Sequence, residues 1–394
     1  MNKAIKSIQA WPQFSEEEIT ITSEILSSGK VNYWTGNHGK MFEEEFSAYI
    51  GVNYSIALAN GTLAIDLALK CLGLGPGDEV IVTPRSFIAS VSCVVNAGAT
   101  PVFADVNPLS GNIDPSSISN VITAKTKAII CVHLAGWPCS MDEIMDIALR
   151  HELFVIEDCA QAHGASYKGQ KIGSIGHIAA WSFCQDKIMS TGGEGGMVTT
   201  DDEDLWKKMW SYKDHGKNYD SVYSNNKNPG FKWLHDSFGS NFRMTEFQSA
   251  IGRIQLKKLD DWSKIRNKNA AFMKKLCDGF DGFLKTPVCD KDCYNAYYKF
   301  YTYINLNMLK DGWSRDKLVE FLNSRGVPSF SGSCPEIYLE GAFKNTSFSP
   351  NQRLPNARLL GETSLVFLVH PTLLQEDLDF ISQEVEKIFN EVIK

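Results

Sequence analysis

Short apolar runs that alternate with helical patterns, from about residue 53 to residue 200, constrain the fold of this chain most strongly. Four of the runs are nearly continuous and rich in β-branched residues, which is typical of strands buried on both faces of a parallel sheet. These predicted strands are residues 79–83, 101–104, 127–132 and 153–156. The helical patterns between them cover residues 62–72, 86–97 and 141–151, with Ser86 and Ser140 as the N-caps of the last two. We therefore predict an α/β fold, with a mostly parallel sheet and helices on both of its faces.

The pattern changes after residue 200 and predicts a second, smaller unit. Helices are predicted over residues 201–212, 244–277, 315–325 and 375–392, and an alternating strand over residues 298–306. Residues 215–239 form a long polar and aromatic stretch, in which residues 224–230 indicate a mobile loop or lid. We predict a large domain at residues 1–252, with an N-terminal arm of about residues 1–35, and a smaller C-terminal α+β domain at residues 253–394.

The charge of the chain narrows the class of protein. The 394 residues include 39 Lys and Arg against 46 Asp and Glu, a formal net charge of −7. This mild acidity argues against a general nucleic-acid or membrane-surface binder, because both partners favour a dense basic patch. No uncharged apolar run approaches the roughly 20 residues of a bilayer span, and the N-terminal cations lack the apolar run of a secretory signal. We expect a soluble cytoplasmic enzyme with no nucleic-acid or membrane partner.

The ten cysteines are scattered, and most lie in apolar stretches where a free thiol behaves as a small buried side chain. Cys289 and Cys293 form the most closely spaced pair, without a second pair or a nearby His. Structural zinc sites use four such ligands. We therefore expect core cysteines in a reducing compartment, with no disulfide and no metal.

Two motifs place polar or Gly residues where an α/β sheet binds its ligand, at the carboxyl ends of strands. Residues 59–62 open a predicted helix, and such a start is either an anion site made of N–H groups or an ordinary N-cap. In residues 155–164, Asp158 follows directly on a predicted buried strand. A carboxylate buried there without a partner would cost free energy. Asp158 is therefore a structural ion-pair partner, a helix cap, or a carboxylate that keeps a heterocyclic nitrogen protonated, with Gln161 or His163 close by.

Lys187 and Asn241 stand out in the next two motifs. Lys187 lies between a predicted strand and the glycine-rich residues 191–196, a position where desolvation can make an amine a nucleophile near neutral pH. The alternative is a solvated surface lysine, with the glycines serving only a tight turn. Asn241 lies just ahead of the predicted long helix, so it is either part of the helix cap or a binding residue.

The order of these motifs resembles that of the DegT/DnrJ/StrS family of sugar aminotransferases, which are fold-type I pyridoxal-phosphate (PLP) enzymes. The motifs are ANGT, VIEDCAQAHG, SF followed by Lys187, GGEGG and NFRMTEFQSAIG. The resemblance extends over nearly the whole chain, from the region of Gly36 to His370 and Pro371. It implies a large PLP-binding domain and a smaller C-terminal domain.

Several residue roles follow from the resemblance alone. Lys187 is implied to bind PLP covalently and to move the proton between Cα and C4′, while Asp158 pairs with the pyridinium nitrogen. Gln161 is implied to lie by the 3-oxygen of the ring. Phe87 is implied to stack on the ring face, although its position also fits simple helix core.

The resemblance also implies how the phosphate is bound. The implied phosphate ligands within one chain are Gly61, Thr62 and Ser182. Asn241 is implied to reach the phosphate in the neighbouring subunit, which makes the expected assembly a homodimer with shared active sites.

The implied reaction transfers an amino group from L-glutamate to a nucleotide-linked keto sugar, and a 4-keto-6-deoxyhexose is favoured. The product would enter O-antigen or other surface-glycan biosynthesis. One branch of the family has His in place of the lysine and performs dehydration, so Lys187 favours transamination. Lys217, Lys227 and Lys232 are candidates for binding the diphosphate, or are simply solvated. The alternatives are a nucleotide-sugar 3-aminotransferase and a non-catalytic PLP-binding regulator.

Overall fold

A seven-stranded sheet lies at the centre of the computed structural model, which describes residues 8–224 and 231–394. The strands of the first 200 residues are β1 (Tyr54–Leu58), β2 (Glu79–Val82), β3 (Thr100–Phe103), β4 (Thr126–Val132), β5 (Phe154–Asp158), β6 (Ser166–Tyr167), β7 (Gln170–Lys171), β8 (Ile178–Ser182) and β9 (Gly196–Thr200). The central sheet has the order β1-β9-β8-β5-β4-β2-β3. Strands β8, β5, β4, β2 and β3 run parallel, while β9 is antiparallel to both of its neighbours. The predicted mostly parallel sheet is confirmed.

Helices cover both faces of this sheet, as predicted. In chain order they are α1 (Glu16–Ser28), α2 (His38–Ile50), α3 (Gly61–Cys71), α4 (Ala89–Asn96), α5 (Pro115–Val121), α6 (Met141–His151), α7 (Glu203–Lys213), α8 (Tyr219–Tyr223) and α9 (Glu246–Asp278). One core cluster joins the sheet to α2, α6 and α9, and a second joins its other face to α3, α4 and α7. Val155 belongs to the first cluster and Ile156 to the second. Because alternate strand residues point to opposite faces, a continuous apolar run fills both layers.

The start of α4 differs from the prediction. The helix begins at Ala89, and Ser86 does not cap it, because the Oγ of Ser86 lies 2.9 Å from the Oγ of Ser90. The guanidinium of Arg85 lies 5.3 Å from the ring centroid of Tyr301 and donates a hydrogen bond to the hydroxyl of Tyr303 at 3.2 Å. These contacts with a distant strand keep residues 85–88 out of the helix.

A smaller, four-stranded antiparallel sheet lies in the C-terminal part of the chain. The remaining strands are β10 (Leu284–Lys285), β11 (Cys293–Tyr294), β12 (Phe300–Ile304), β13 (Ser329–Phe330) and β14 (Ser364–Phe367), and the remaining helices are α10 (Arg315–Ser324), α11 (Pro355–Thr363) and α12 (Gln375–Val392). This sheet has the order β10-β12-β14-β13, and β11 pairs with β6 instead. In the described ranges, no helix has the length and apolar composition needed to cross a membrane.

Helix α9 links the two sheets without a break. Its Leu259 belongs to the core beneath the central sheet, and its Met273 belongs to the core beneath the smaller sheet. The division of the chain at residue 252 and the N-terminal arm of residues 1–35 therefore stay predictions. Helix α8 lies within the predicted loop of residues 215–239, and the part of that loop at 225–230 lies outside the described residues.

The ten cysteines all fall in the described ranges and carry free thiols. Five are buried as expected, namely Cys93, Cys131, Cys139, Cys159 and Cys277. The expectation of core positions is wrong for the other five, which are only half-buried. Two of these, Cys184 and Cys334, line the cavity described next.

Candidate active site

A cavity of about 860 Å³ opens at the carboxyl ends of the parallel strands. Strands β5 and β8 end there at Asp158 and Ser182, and the turns after β1 and β2 reach the same edge. Residues far apart in the chain meet at this edge because strands of one direction all end there. Seven of the eight predicted cofactor-binding residues line the cavity, namely Gly61, Thr62, Phe87, Asp158, Gln161, Ser182 and Lys187.

Helix α3 points its first turn at the cavity. Asn60 is its N-cap, and the side-chain oxygen of Asn60 accepts a hydrogen bond from the N–H of Leu63 at 2.9 Å. Gly61 packs directly on β8, since a Cβ at this position would lie 2.6 Å from the Cβ of Ser182. The free N–H groups of the first turn and the hydroxyls of Thr62 and Ser182 can therefore act together on an anion. The N-cap, one of the two predicted alternatives, is present, and it does not exclude the anion site.

Asp158 is a buried carboxylate on the cavity wall. Its Oδ2 accepts a hydrogen bond from the Oγ of Ser90 at 2.7 Å, and its Oδ1 accepts one from the N–H of Ala160 at 3.1 Å. Ser90 in turn contacts the hydroxyl of Ser86. Sequence reasoning missed Ser90, although its spacing of four residues from Ser86 would place both on one face of the helix predicted at residues 86–97.

An ion pair was one of the alternatives predicted for Asp158, but in the structure the neighbouring Glu157 forms the ion pair. Glu157 lies 3.1 Å from the Nε2 of buried His133, and it accepts hydrogen bonds from the N–H groups of Gly173, Ile175 and Gly176. Burial raises the pKa of Glu157, but His133 and these N–H groups outweigh burial and lower it. Because neighbouring strand residues face opposite ways, Glu157 is structural while Asp158 faces the cavity.

Lys187 lies in a loop after β8 whose shape is fixed by distant contacts. The indole nitrogen of Trp11 donates a hydrogen bond to the backbone oxygen of Lys187 at 2.8 Å. Gly192 and Gly193 follow with φ of +87° and +126°, values that favour glycine. The ammonium of Lys187 lies 5.1 Å from the ring centroid of Tyr298. Lys187 is thus a half-buried cavity residue and not a solvated surface lysine.

Phe87 and Gln161 flank the same space. The side chain of Phe87 is 66% exposed, which contradicts the helix-core alternative. Gln161 is buried, and its Oε1 accepts a hydrogen bond from the N–H of Ala135 at 2.7 Å, which fixes the amide. His163 lies outside the cavity lining, between the rings of Trp181 and Phe183. Burial, reinforced by nearby cations, lowers the pKa of His163 to about 3, so it is a neutral core residue.

The smaller sheet supplies one wall of the cavity, which sequence reasoning did not predict. Its lining residues are Tyr298, Lys299, Tyr301, Phe330, Gly332, Ser333, Cys334 and Val366. The hydroxyl of Tyr298 donates a hydrogen bond to the carboxylate of Asp186, next to Lys187. No short-range signal marks these residues, because only the packing of the two sheets brings them to the cavity.

Asn241 does not line this cavity, and its side chain is exposed. Of the predicted diphosphate lysines, Lys217 and Lys232 do not line it either. Lys217 forms an ion pair with Asp214 at 2.9 Å, Lys232 is exposed on the 231–239 segment, and Lys227 lies outside the described residues.

The residues of the cavity fit PLP. The cofactor has an aldehyde, a ring nitrogen and a phosphate, and the cavity offers an amine at Lys187, a buried carboxylate at Asp158 and the amide-rich start of α3. The close packing of Gly61 on Ser182 leaves only backbone at position 61, where α3 begins. A group with this set of three functions can be held by these residues.

Comparisons with known proteins agree with this chemistry. The model of the DegT/DnrJ/EryC1/StrS aminotransferase family matches residues 12–386. The chain is 55% identical to an aminotransferase from Psychrobacter cryohalolentis, whose crystal structure aligns over 98% of this chain and 99% of that one with a TM-score of 0.96. It is 44% identical to a GDP-perosamine synthase from Caulobacter vibrioides, covering 90% of this chain and 92% of that protein. It is 32% identical to a dTDP-3-amino-3,4,6-trideoxy-alpha-D-glucose transaminase from Streptomyces venezuelae, covering 92% and 90%.

The matched region includes both sheets, the cavity and Lys187, so the likeness is not confined to one motif. The chain belongs to the DegT/DnrJ/EryC1/StrS aminotransferase family, and it is an aminotransferase that depends on pyridoxal 5′-phosphate.

Proposed function

We propose that this enzyme transfers an amino group from L-glutamate to a nucleotide-linked keto-deoxy sugar, and that a 4-keto-6-deoxyhexose is the preferred acceptor. The observation that carries the proposal is the convergence of Lys187, Asp158 and the start of α3 on one cavity of about 860 Å³. Pockets for a single ligand span roughly 300–1,000 Å³, so this cavity is large enough to hold a cofactor. The amino sugar would enter surface-glycan biosynthesis in the cytoplasm.

Lys187 is the proposed catalytic residue. When bound, PLP supplies an electron-withdrawing ring that stabilises negative charge at the carbon losing its proton. The Nζ of Lys187 holds the cofactor covalently at rest, takes the proton from Cα of the amino donor, and returns a proton to the acceptor carbon. The ring of Tyr298 restricts where the amine can swing.

Asp158 and the residues around it are proposed to bind and orient the cofactor. The carboxylate of Asp158, held by Ser90 and Ala160, pairs with the ring nitrogen. Gln161 lies by the 3-oxygen and Phe87 covers one ring face. The proposed phosphate ligands are Gly61, Thr62 and Ser182, with Asn241 of a neighbouring subunit.

A homodimer is proposed because the segment beside Asn241 carries exposed aromatic rings. Phe231, Trp233 and Phe238 are 79%, 84% and 101% exposed in the single chain. A cluster of this kind is unusual on the surface of a monomer and is typical of a protein interface. A second copy seated there would bury the rings and bring Asn241 to the partner's cavity.

The names of two relatives support a nucleotide-linked acceptor, since one is a GDP-perosamine synthase and the other a dTDP-linked 3-amino sugar transaminase. The second name keeps 3-amination open as an alternative. The carbon of the sugar that receives the amino group therefore has to be decided by experiment.

The test follows the two half-reactions separately. The holoenzyme is mixed with L-glutamate, and the absorbance of the bound cofactor and the formation of 2-oxoglutarate are recorded. The aminated enzyme then receives nucleotide-linked 4-keto-6-deoxy or 3-keto sugars, and mass spectrometry identifies the product. Conversion of the 4-keto sugar is expected. Preference for the 3-keto sugar would favour the alternative, and absence of any change with every amino donor would favour a non-catalytic PLP-binding regulator.

A further inference from the structure

A second, smaller cavity of about 300 Å³ borders the active-site cavity. Asp186, Tyr298, Lys299 and Phe330 line both spaces and form the wall between them. The smaller cavity is completed by residues 8–11, Pro328 and residues 368–370, together with Arg266 of α9. Because the two cavities share these residues, the smaller cavity lies directly beside the proposed reaction site.

Three cations lie in or beside the wall, namely Lys187, Lys299 and Arg266, whereas the wall itself contains one acid, Asp186. The ammonium of Lys299 lies 5.0 Å from the ring centroid of Tyr298 and 5.4 Å from that of Phe330. It forms no ion pair with a carboxylate of the described chain. Asp186 is the acid that acts on it, but that carboxylate already accepts the hydrogen bond of Tyr298.

Arg266 adds a second cation, and no carboxylate pairs with it in the described part of the chain. It is 2% exposed and donates hydrogen bonds to the backbone oxygens of Tyr297 and Tyr298 at 3.3 Å each. Its Nε has no hydrogen-bond partner among residues 8–224 and 231–394. The guanidinium also lies 5.1 Å from the ring centroid of Trp11, which fixes it in place.

Burying cations without counter-charge is costly, and the pKa values of Arg266 and Lys299 reflect that cost. Burial lowers the pKa of Arg266 to about 9. Burial, with the charges of Arg266 and Lys187, also lowers the pKa of Lys299. An anion bound at this wall would offset the repulsion among the three cations.

We propose that Lys299 binds a carboxylate of the amino donor, with Arg266 as a fixed positive charge behind it; this inference rests on the proposed function. The ammonium groups of Lys187 and Lys299 lie 5.1 and 5.0 Å from the centroid of the same Tyr298 ring, so an anion on Lys299 lies in the neighbourhood of the reacting amine. A donor carboxylate is attached to the reacting carbon or lies three carbons from it. The diphosphate of a nucleotide sugar is the competing anion, and the two half-reactions distinguish it from the donor carboxylate.

The test compares wild type with Lys299→Met, Lys299→Arg and Lys264→Met. Lys264 is an exposed lysine on α9 that pairs with nearby Asp261, so its removal controls for the loss of one positive charge. Calorimetry measures the binding of glutarate, which has the donor's carboxylates but no amine, to each holoenzyme. Stopped-flow absorbance then gives the apparent KM for L-glutamate in the first half-reaction.

Loss of a hydrogen bond to a charged group predicts that Lys299→Met weakens glutarate binding and raises the KM for L-glutamate by about 10- to 100-fold. Lys299→Arg should recover most of both, and Lys264→Met should match wild type. Unchanged glutarate affinity in Lys299→Met would overturn the inference. So would a loss confined to the keto-sugar half-reaction, which would assign the cation to the nucleotide sugar. A wild-type enzyme that binds glutarate but transfers no amino group would defeat the proposed function alone.

Discussion

Replacing Gly61 with Ala tests whether the start of α3 is the phosphate site. The added Cβ would lie 2.6 Å from the Cβ and 3.0 Å from the Cα of Ser182. Carbon atoms in contact normally lie about 3.5–4.0 Å apart, so either α3 or the end of β8 must move by about 1 Å. Ser182 belongs to the central sheet and has little freedom, and we expect the first turn of α3 to move.

The size of the effect follows from that displacement. An N–H···O bond of about 2.9 Å that lengthens by about 1 Å is no longer a hydrogen bond. A hydrogen bond to a charged group contributes about 1.5–3 kcal/mol, so the loss of one predicts PLP affinity weaker by about 10- to 100-fold. Overpacking should also cost about 1–3 kcal/mol of folding stability.

The assay is the dissociation constant of PLP, measured by absorbance titration of the apoenzyme, with a thermal melt of each variant. Gly75→Ala is the matched control, because its Cβ would meet only the backbone oxygen of Ala97 at an ordinary 3.7 Å. A folded Gly61→Ala enzyme that binds PLP as tightly as wild type would refute the assignment of the phosphate to this turn.

Three further predictions concern the cofactor and the core. Lys187→Ala should leave no covalent cofactor adduct after borohydride reduction and mass spectrometry, and should lower turnover by about 100-fold or more; an adduct of wild-type yield would contradict the assignment. Asn241→Ala should weaken PLP binding by about tenfold in the dimer, and unchanged affinity would count against a contact across subunits. The pKa of Glu157 is lowered from its ordinary 4.5, so its pairing with His133 stabilises the fold above that pH and is lost as the pH falls through the lowered value. Glu157→Gln should therefore flatten the acid side of a plot of melting temperature against pH, and parallel acid limbs in both proteins would argue against this role.

The parallel sheet and the position of Asp158 could be predicted because both are local properties of the chain. Within the predicted strand at residues 127–132, positions 128–132 are all apolar, which is typical of a strand buried on both faces. Asp158 ends such a run, and strand ends of one direction share an edge. The same argument places Lys187 near Asp158 without knowledge of the rest of the fold.

The predictions of the α4 N-cap and of the buried cysteines were partly wrong because they depend on contacts between distant parts of the chain. Ser86 resembles an N-cap by its sequence, but Arg85 packs on Tyr301 and Tyr303 of the smaller sheet, and this contact sets where the helix begins. Cys334 lies in the smaller sheet's part of the chain, and the packing of that sheet against the central one brings it to the cavity. Local pattern does not encode contacts of this range.

By itself, the sequence determined which runs form buried strands, where the glycine-rich turns lie and which groups are suited to PLP. Only the tertiary structure decided what surrounds them: Ser90 on Asp158, Trp11 on the backbone of Lys187, and Tyr298 and Lys299 as the opposite wall. The physical reason is the separation along the chain of the residues that come into contact. Periodicity records which face of an element is buried, whereas its partner is chosen by packing between distant segments, 68 residues apart for Ser90 and Asp158 and 176 for Trp11 and Lys187.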